Sequence, residues 1–336
     1  MTACSPANND TSTTDSTAYQ SRYQPLASEA VLLRGATVLT GAGERMDDAD
    51  VLLRDGRIAA VGEALDAGDA TVVDAGGRWV TPGVIDLHSH LGVYPSPGTE
   101  SHSDGNEATS PNTAEVWAEH SVWPHDPGFV TALAGGVTTM QILPGSANLF
   151  GGRSVTLKNV PGRNVMEMKF PGAPYGLKMA CGENPKRVYG GRNQAPGTRM
   201  GNVAGYRAAW IDADDYRKKL KAAENGNGET PKRDLKLETL AGVLDGEILI
   251  HNHCYRGDEM SVMLEIAKEF GYKITAFHHA VEAYKVADLL AANDTCAAMW
   301  ADWWGFKMEA YDGIRENAAL VDLAGACAII HSCLLY

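Results

Sequence analysis

The stretch TPGVIDLHSHLG, Thr81 to Gly92, ends an apolar run in two histidines separated by one serine. Successive side chains of a strand point to opposite faces, so His88 and His90 point the same way. Two imidazoles on one side of a strand end can share a divalent ion such as Zn²⁺. An HxH pair alone is a weak sign, since chance or a loop also produces it. The same residue type recurs where other apolar runs stop. His251 closes the run from Glu247 to Ile250, and His253 follows two residues on. His278 and His279 close the run from Ile274 to Phe277, and neighbours on a strand face opposite sides, so only one of the two is expected to look inward. Each alone reads as an ordinary buried histidine, but recurrence at strand ends on one fold weighs against that. His102, His120 and His125 fall in the long loop after His90 and read as surface or lid residues.

The elements that must carry these rings follow from the apolar rhythm. From Ala30, short apolar runs broken by Gly35, Gly41, Gly43 and Asp55-Gly56 predict a small antiparallel sheet, with Asp55-Gly56 as a hairpin turn. Gly41-Ala42-Gly43 lacks a third glycine and a following helix, so a dinucleotide fingerprint is refused. After Pro82 the pattern becomes strand, glycine-rich loop, helix. Strands are expected over 83–88, 136–143, 154–158, 177–181, 247–251, 274–279, 296–300 and 326–331, with helices over 206–224, 258–270, 282–292 and 314–324. Eight strands alternating with helices predict an α/β fold of the parallel (β/α)₈ (TIM) barrel type, in which the strand tips form the active-site mouth. A doubly wound open sheet is the runner-up. The expected domains are a tail at 1–28, a small β-sandwich domain at 29–80 and the barrel at 81–336.

A net charge of −13 excludes a typical nucleic-acid binder, which needs a basic footprint. With 44% hydrophobic and 21% charged residues the chain can bury a large core, and 36 glycines suit many tight loops. No apolar run is long enough to span a bilayer. The six cysteines form no CxxC pair. That argues against a finger-type zinc site, and a disulfide framework is not expected in so large a chain, so Cys181, Cys296 and Cys327 read as small buried hydrophobes. The segment 1–28 is rich in Ser, Thr, Asn, Asp and Pro, without apolar period, and is expected to be flexible. Its opening Thr-Ala-Cys-Ser is similar to the end of a lipoprotein signal, without the apolar segment that should precede it. If Cys4 is lipidated, the protein is periplasmic or membrane-tethered; otherwise it is cytoplasmic.

The stretches VTPGVIDLHSHLG, ALAGGVTTMQILPG, YGLKMACGENPKRVYG, ILIHNHCYRGDEM and FHHAVEAYKVAD together resemble the metal-dependent amidohydrolase superfamily, and within it the imidazolonepropionase-related amidohydrolases. The likeness runs from Val31 to Ser332. It implies a (β/α)₈ barrel with a small β-sandwich and one or two divalent ions, zinc foremost. His88 and His90 match the first-strand ligands, His251 the fifth-strand ligand and His279 the sixth-strand ligand; His253 would stand behind them or face substrate, and His279 and His253 are the candidate catalytic histidines. The fourth strand of many members carries a lysine that CO₂ converts to a bridging carbamate, here Lys178. Glu183 is the competing ligand and Lys158 a weaker rival.

Such a centre would activate a water to attack an amide or cyclic amide carbon, with C–N cleavage. The resemblance also implies an aspartate at the end of the eighth strand, where AGACAIIHS is followed by Cys333 and three apolar residues. This is the largest departure from the pattern, and a frameshift, a partial gene or a trimmed chain, lacking the last helix, is the expected cause. Exposed apolar surface, poor solubility or a covering partner, a second copy included, would follow. The expected partner at the site is a small molecule. Tyr255 and Arg256 could bind its carboxylate, and Trp303 and Trp304, with Trp300, Tyr311, Lys307 and Glu309, could line its pocket, below a glycine-rich loop at 148–153. The competing reading is a non-catalytic metal-binding remnant or exported binding protein.

Overall fold

The computed structural model describes residues 18–331. Cys4 and Cys333, on which the tether and the last-strand departure turn, lie outside the described residues.

The small sheet contains β1 (Val31–Leu39), β2 (Arg45–Arg54), β3 (Arg57–Gly62), β4 (Thr71–Asp74) and β5 (Trp79–Val80). Its order is β3-β2-β1-β4, with β5 also paired to β1. The β2–β3 hairpin turns at Asp55 and Gly56, whose φ values of 52° and 68° are those a type I′ turn needs. β4 and β5 run parallel to β1, so the sheet is mixed rather than the expected antiparallel meander. The connection over 63–70 carries the chain back across the sheet before β4 begins. Ala36, Val38, Ala49 and Val51 form its core.

The larger sheet holds β6 (Val84–Ser89), β7 (Val137–Ile142), β8 (Phe150–Lys158), β9 (Gly176–Ala180), β10 (Leu249–His253), β11 (Ile274–His278), β12 (Cys296–Met299) and β13 (Ala328–Ile330), neighbouring one another in chain order. All eight expected strands form, but β8 runs antiparallel to both β7 and β9. Residues 143–149 are too few for the crossover that a parallel neighbour demands. The predicted loop at 148–153 is therefore largely the first half of β8.

Helices α1 (Pro127–Ala134), α2 (Val165–Met168), α3 (Glu183–Gly190), α4 (Arg199–Glu224), α5 (Leu235–Leu244), α6 (Gly257–Phe270), α7 (Ala287–Ala292) and α8 (Asn317–Leu323) lie between strands. Side-chain caps fix several starts: Asp126 accepts from Gly128 N–H before Pro127-led α1, Thr198 from Gly201 N–H, and Asp234 from Lys236 and Leu237 N–H. α6 ends at Gly271 with φ 73°, a left-handed stop. The main core packs Trp210 and Tyr206 of α4 and Leu240 of α5 onto Phe150, Leu177 and Ile250 of the sheet.

The sheet curls until its first and last strands face each other, with the His88 and His331 rings stacked 5.3 Å apart. Among the described residues no ladder joins β6 to β13. A cavity of about 470 Å³ opens along this seam, lined by Val84, Ile85, Trp303 and Ile330.

Part of the stretch expected to be flexible is docked. Tyr19 packs against Trp117 and His120, Ser21 Oγ donates to Lys169 O at 2.6 Å, and Arg22 N–H donates to Met166 O at 2.8 Å. The cysteines also depart from expectation: Cys181 is bonded to Cys254 and Cys296 to Cys327. Sequence separations of 73 and 31 residues hid both pairs, because only strand register brings them together.

Candidate active site

Seven imidazoles and one lysine converge at the ends of the curled sheet. Lys178 is fully buried on β9 and stands opposite His251 of β10 in the ladder. Its Nζ lies 3.3 Å from His88 Nε2, which in turn lies 3.3 Å from His90 Nε2. His88 Nδ1 is 2.8 Å from His278 Nδ1, and His278 Nε2 is 2.9 Å from His251 Nδ1. The His279 ring sits 4.5 Å from His88 and 5.0 Å from His253.

Both His278 and His279 face this cluster, against the expectation that one would point away. β11 ends at His278, and His279 has a φ of 56°, so the chain turns left-handed and the alternation of the strand no longer applies. His331, which carries no sequence assignment to the site, joins them: at the end of the last run, its ring lies 4.8 Å from His279.

Neighbouring acceptors fix one tautomer. His90 Nδ1 lies 2.8 Å from the carbonyl of Leu143, which can only accept, so Nδ1 carries the proton and the neutral ring turns a bare Nε2 toward His88. Burial is the leading cause that keeps all seven rings neutral, and the charge of Lys178 adds to it. His90, His251 and His331 are pushed down to about 3, and the other four are lowered well below the usual imidazole value. Gln141, a residue without a sequence signal, holds His251 Nε2 at 3.1 Å and donates to Ser154 Oγ at 2.9 Å.

The donor set suits a divalent ion. Neutral imidazole is the form that binds one. Two donors on a tetrahedral zinc, each about 2.0–2.1 Å from it, stand about 3.3–3.4 Å apart, the spacing of His90, His88 and Lys178. His253 Nδ1, His279 Nδ1 and both nitrogens of His331 are buried without hydrogen-bond partners. Among the described residues no three His, Cys, Asp or Glu side chains make a finished cage, since the third donor beside His88 and His90 is an amine.

Other expected residues lie at the rim. Glu183 starts α3 and pairs with Lys307 at 2.9 Å, away from the imidazoles; its neighbour Asn184, unmarked in the sequence, reaches His253 Nε2 at 3.3 Å. Lys158 points outward over the Tyr23 ring. Arg256 is forked onto Asp258 at 2.9 and 2.8 Å. Tyr255 packs on His253 with ring centres 4.5 Å apart, and Lys307 Nζ lies over the Tyr255 ring. Trp300 stacks on His279 at 4.6 Å and carries the exposed Trp303. Trp304 packs instead beside Tyr255, Val281 and Ala310. Glu309 accepts from Glu183 N–H and from Arg199, and Tyr311 is exposed.

The chain is similar to known amidohydrolases. The chain is 34% identical over 331 residues to amidohydrolase tasK of Hapsidospora irregularis, covering 87% of this chain but only 34% of that protein's length. It is 40% identical over 78 residues to a D-hydantoinase of Geobacillus stearothermophilus, 23% of this chain and 16% of that one. The crystal structure of an amidohydrolase from Thermotoga maritima superposes with a TM-score of 0.84 at 36% identity, over 90% of this chain and 78% of that one. No family model matches.

Proposed function

The chain belongs to the amidohydrolase superfamily, and from that membership we propose that it hydrolyses a C–N bond in an amide or cyclic amide, using a divalent metal held by His88, His90 and Lys178 with His251 and His279 beside them. What carries this reading is the pair of 3.3 Å spacings that link His90, His88 and Lys178, between rings that burial keeps neutral. Within it, the curled sheet is a variant of the (β/α)₈ barrel, with β8 reversed and the seam between β6 and β13 open.

Lys178 is the carbamate candidate. Addition of CO₂ at Nζ, with loss of two protons from the ammonium, replaces a buried cation, which is costly to hold, by a carboxylate among neutral rings. Glu183, turned toward Lys307, is set aside as a ligand. When bound, the ion supplies a Lewis acid and a water whose pKa falls to about 7.

The chain's own groups supply orientation and proton movement. Leu143 O holds His90 so that Nε2 faces the centre. His279, braced by the Trp300 ring, keeps a buried and unpartnered Nδ1; replacing the Lys178 cation by a carbamate removes one of the charges that hold this ring neutral and lets it take a proton and return it to a leaving nitrogen. Asn184 and Tyr255 orient His253 as the second such group. Lys307, at the rim over Tyr255, is held by Glu183 at 2.9 Å and donates to Asn184 Oδ1 at 3.2 Å, so it braces the rim and the residue that reaches His253. The ligand of this site is a small molecule.

The test combines metal analysis with turnover. The purified chain is expected to carry a divalent ion and to hydrolyse members of a panel of hydantoins, other cyclic amides and open-chain N-acyl amines. Lys178→Gln and His88→Ala are each expected to lose metal and more than about 100-fold in kcat/KM. Unchanged turnover in both variants would overturn the proposal.

A further inference from the structure

Four described cysteines, far apart in sequence, meet in two pairs that stand in the same relation to the sheet. β9 and β10 run parallel with His253 opposite Ala180, so Cys254 stands opposite Cys181 one step further on. β12 and β13 run parallel with Ala297 opposite Ala328, so Cys296 stands opposite Cys327 one step earlier. Opposed residues on neighbouring strands lie about 4.7–4.9 Å apart, inside the window for a disulfide. The Cα separations are 5.2 Å and 4.4 Å. Two register matches, with no described cysteine left over, are more than the packing of small apolar side chains requires.

The two bonds sit at opposite ends of the strands. Cys296–Cys327 joins the N-terminal ends, remote from the imidazoles. Cys181–Cys254 lies just past the C-terminal ends, next to His253 and three residues after Lys178. Cys181 N–H donates to His253 O at 2.9 Å, and Cys254 N–H to His278 O at 3.1 Å, so the bonded pair is the last tie before α3 and α6 begin. Beyond it the chain leaves through Gly182, with φ 77°.

We propose that Cys181–Cys254 is a positioning element of the active site, a covalent clamp that fixes the tip of β9, with Lys178, against the tip of β10, with His251 and His253. It rests on the reading of that centre as a metal site. In forming it, two thiols give up two protons and two electrons as the Sγ–Sγ bond closes. A thiol–disulfide oxidant, oxidised glutathione or another protein's disulfide, takes them and leaves as two thiols. Both sulfurs are buried, so the folded protein shields the bond from exchange.

The experiment uses the full chain. Non-reducing peptide mapping should find the 181–254 and 296–327 peptides linked; free thiols at 181 and 254 overturn the clamp. Affinity for Co²⁺ and Zn²⁺ is then measured by chelator competition for wild type, for Cys181→Ser/Cys254→Ser and for Cys296→Ser/Cys327→Ser. The first pair is expected to lose about tenfold in metal affinity and to alter the visible spectrum of bound Co²⁺, the second to leave both unchanged although both pairs unfold more easily. If the serine pair does not fold, Cys181→Ala/Cys254→Val keeps the space apolar and gives the same readout. Equal metal affinity in all three proteins, or equal loss in both variants, sinks the clamp and leaves the metal site standing. A wild type that binds no ion sinks the metal site, and the clamp with it.

Discussion

Asn317 ties α8 to the turn that carries His279, and changing it tests how that ring is held. Its Nδ2 donates to Ala280 O at 3.0 Å and Val281 O at 3.1 Å, and its Oδ1 accepts from Tyr284 N–H at 2.9 Å. The side chain is only 4% exposed. Asn317→Asp keeps the shape and the acceptor but turns an oxygen toward two carbonyls. Two bonds worth about 1 kcal/mol each are lost, and about 1–3 kcal/mol is added for the stranded carbonyls, roughly 3–5 kcal/mol in all. That is a large part of a typical stability of about 5–15 kcal/mol. Protonation relieves it, because the acid can donate to one carbonyl. The folded pKa of the new carboxyl therefore rises above its unfolded value. Its penalty is absent below the unfolded pKa, grows as pH climbs toward the folded pKa and is constant beyond. The deficit should be larger near pH 8.5 than near pH 6, by up to about 1.4 kcal/mol for each pH unit over which the folded acid stays protonated. Asn317→Ala should be destabilised without that pH dependence. Urea titrations followed by tryptophan fluorescence give the midpoints. An Asp variant with the same deficit at both pH values, or a deficit under about 1 kcal/mol, refutes the reasoning.

Three further outcomes are expected. Lys169 Nζ is paired with buried Glu119 at 2.5 Å and donates to Tyr19 O at 2.7 Å, so Lys169→Met should cost about 3–5 kcal/mol and expose the 18–23 arm to limited proteolysis; an arm as resistant as wild type counts against this. A Cβ at Gly176 would come 2.7 Å from His251 Cδ2 and overlap Ser154 Oγ, so Gly176→Ala should destabilise by about 1–3 kcal/mol and weaken metal binding, read by calorimetry and chelator competition. Ile85 is 68% exposed on the unpaired edge of β6, so Ile85→Lys should reduce aggregation in light scattering with the circular dichroism spectrum unchanged; equal scattering would contradict an adhesive seam.

The parts legible in the sequence were those written in local pattern. Period-two histidines at the ends of apolar runs marked His88, His90, His251 and His253, and Asp55-Gly56 marked its hairpin. What escaped depends on non-local geometry. The reversal of β8 follows from a short connection after β7, which apolar spacing does not register. The inward turn of both His278 and His279 depends on one left-handed residue, and a histidine rather than a glycine occupies it. Gln141 and Asn184 carry ordinary side chains whose role comes from the strand and helix ends that aim them. The disulfides required ladder register, which no separation along the chain reveals. The pairing of Arg256 with Asp258, two residues on, is likewise a matter of side-chain conformation that residue type alone does not show.

The docked arm has a mechanical consequence. Among the described residues, the chain passes between the small sheet and the larger one at two places. One is the stretch from Tyr19, pinned at Lys169 and Met166, to the start of β1. The other is the passage through Gly83, packed so closely on Thr138 that any Cβ there would overlap it. A body fastened at two separated points resists swinging about either one. The small sheet should therefore serve as a fixed bracket, and admission of a substrate falls to the short segments around the rim, such as the one bearing Trp303 and Lys307.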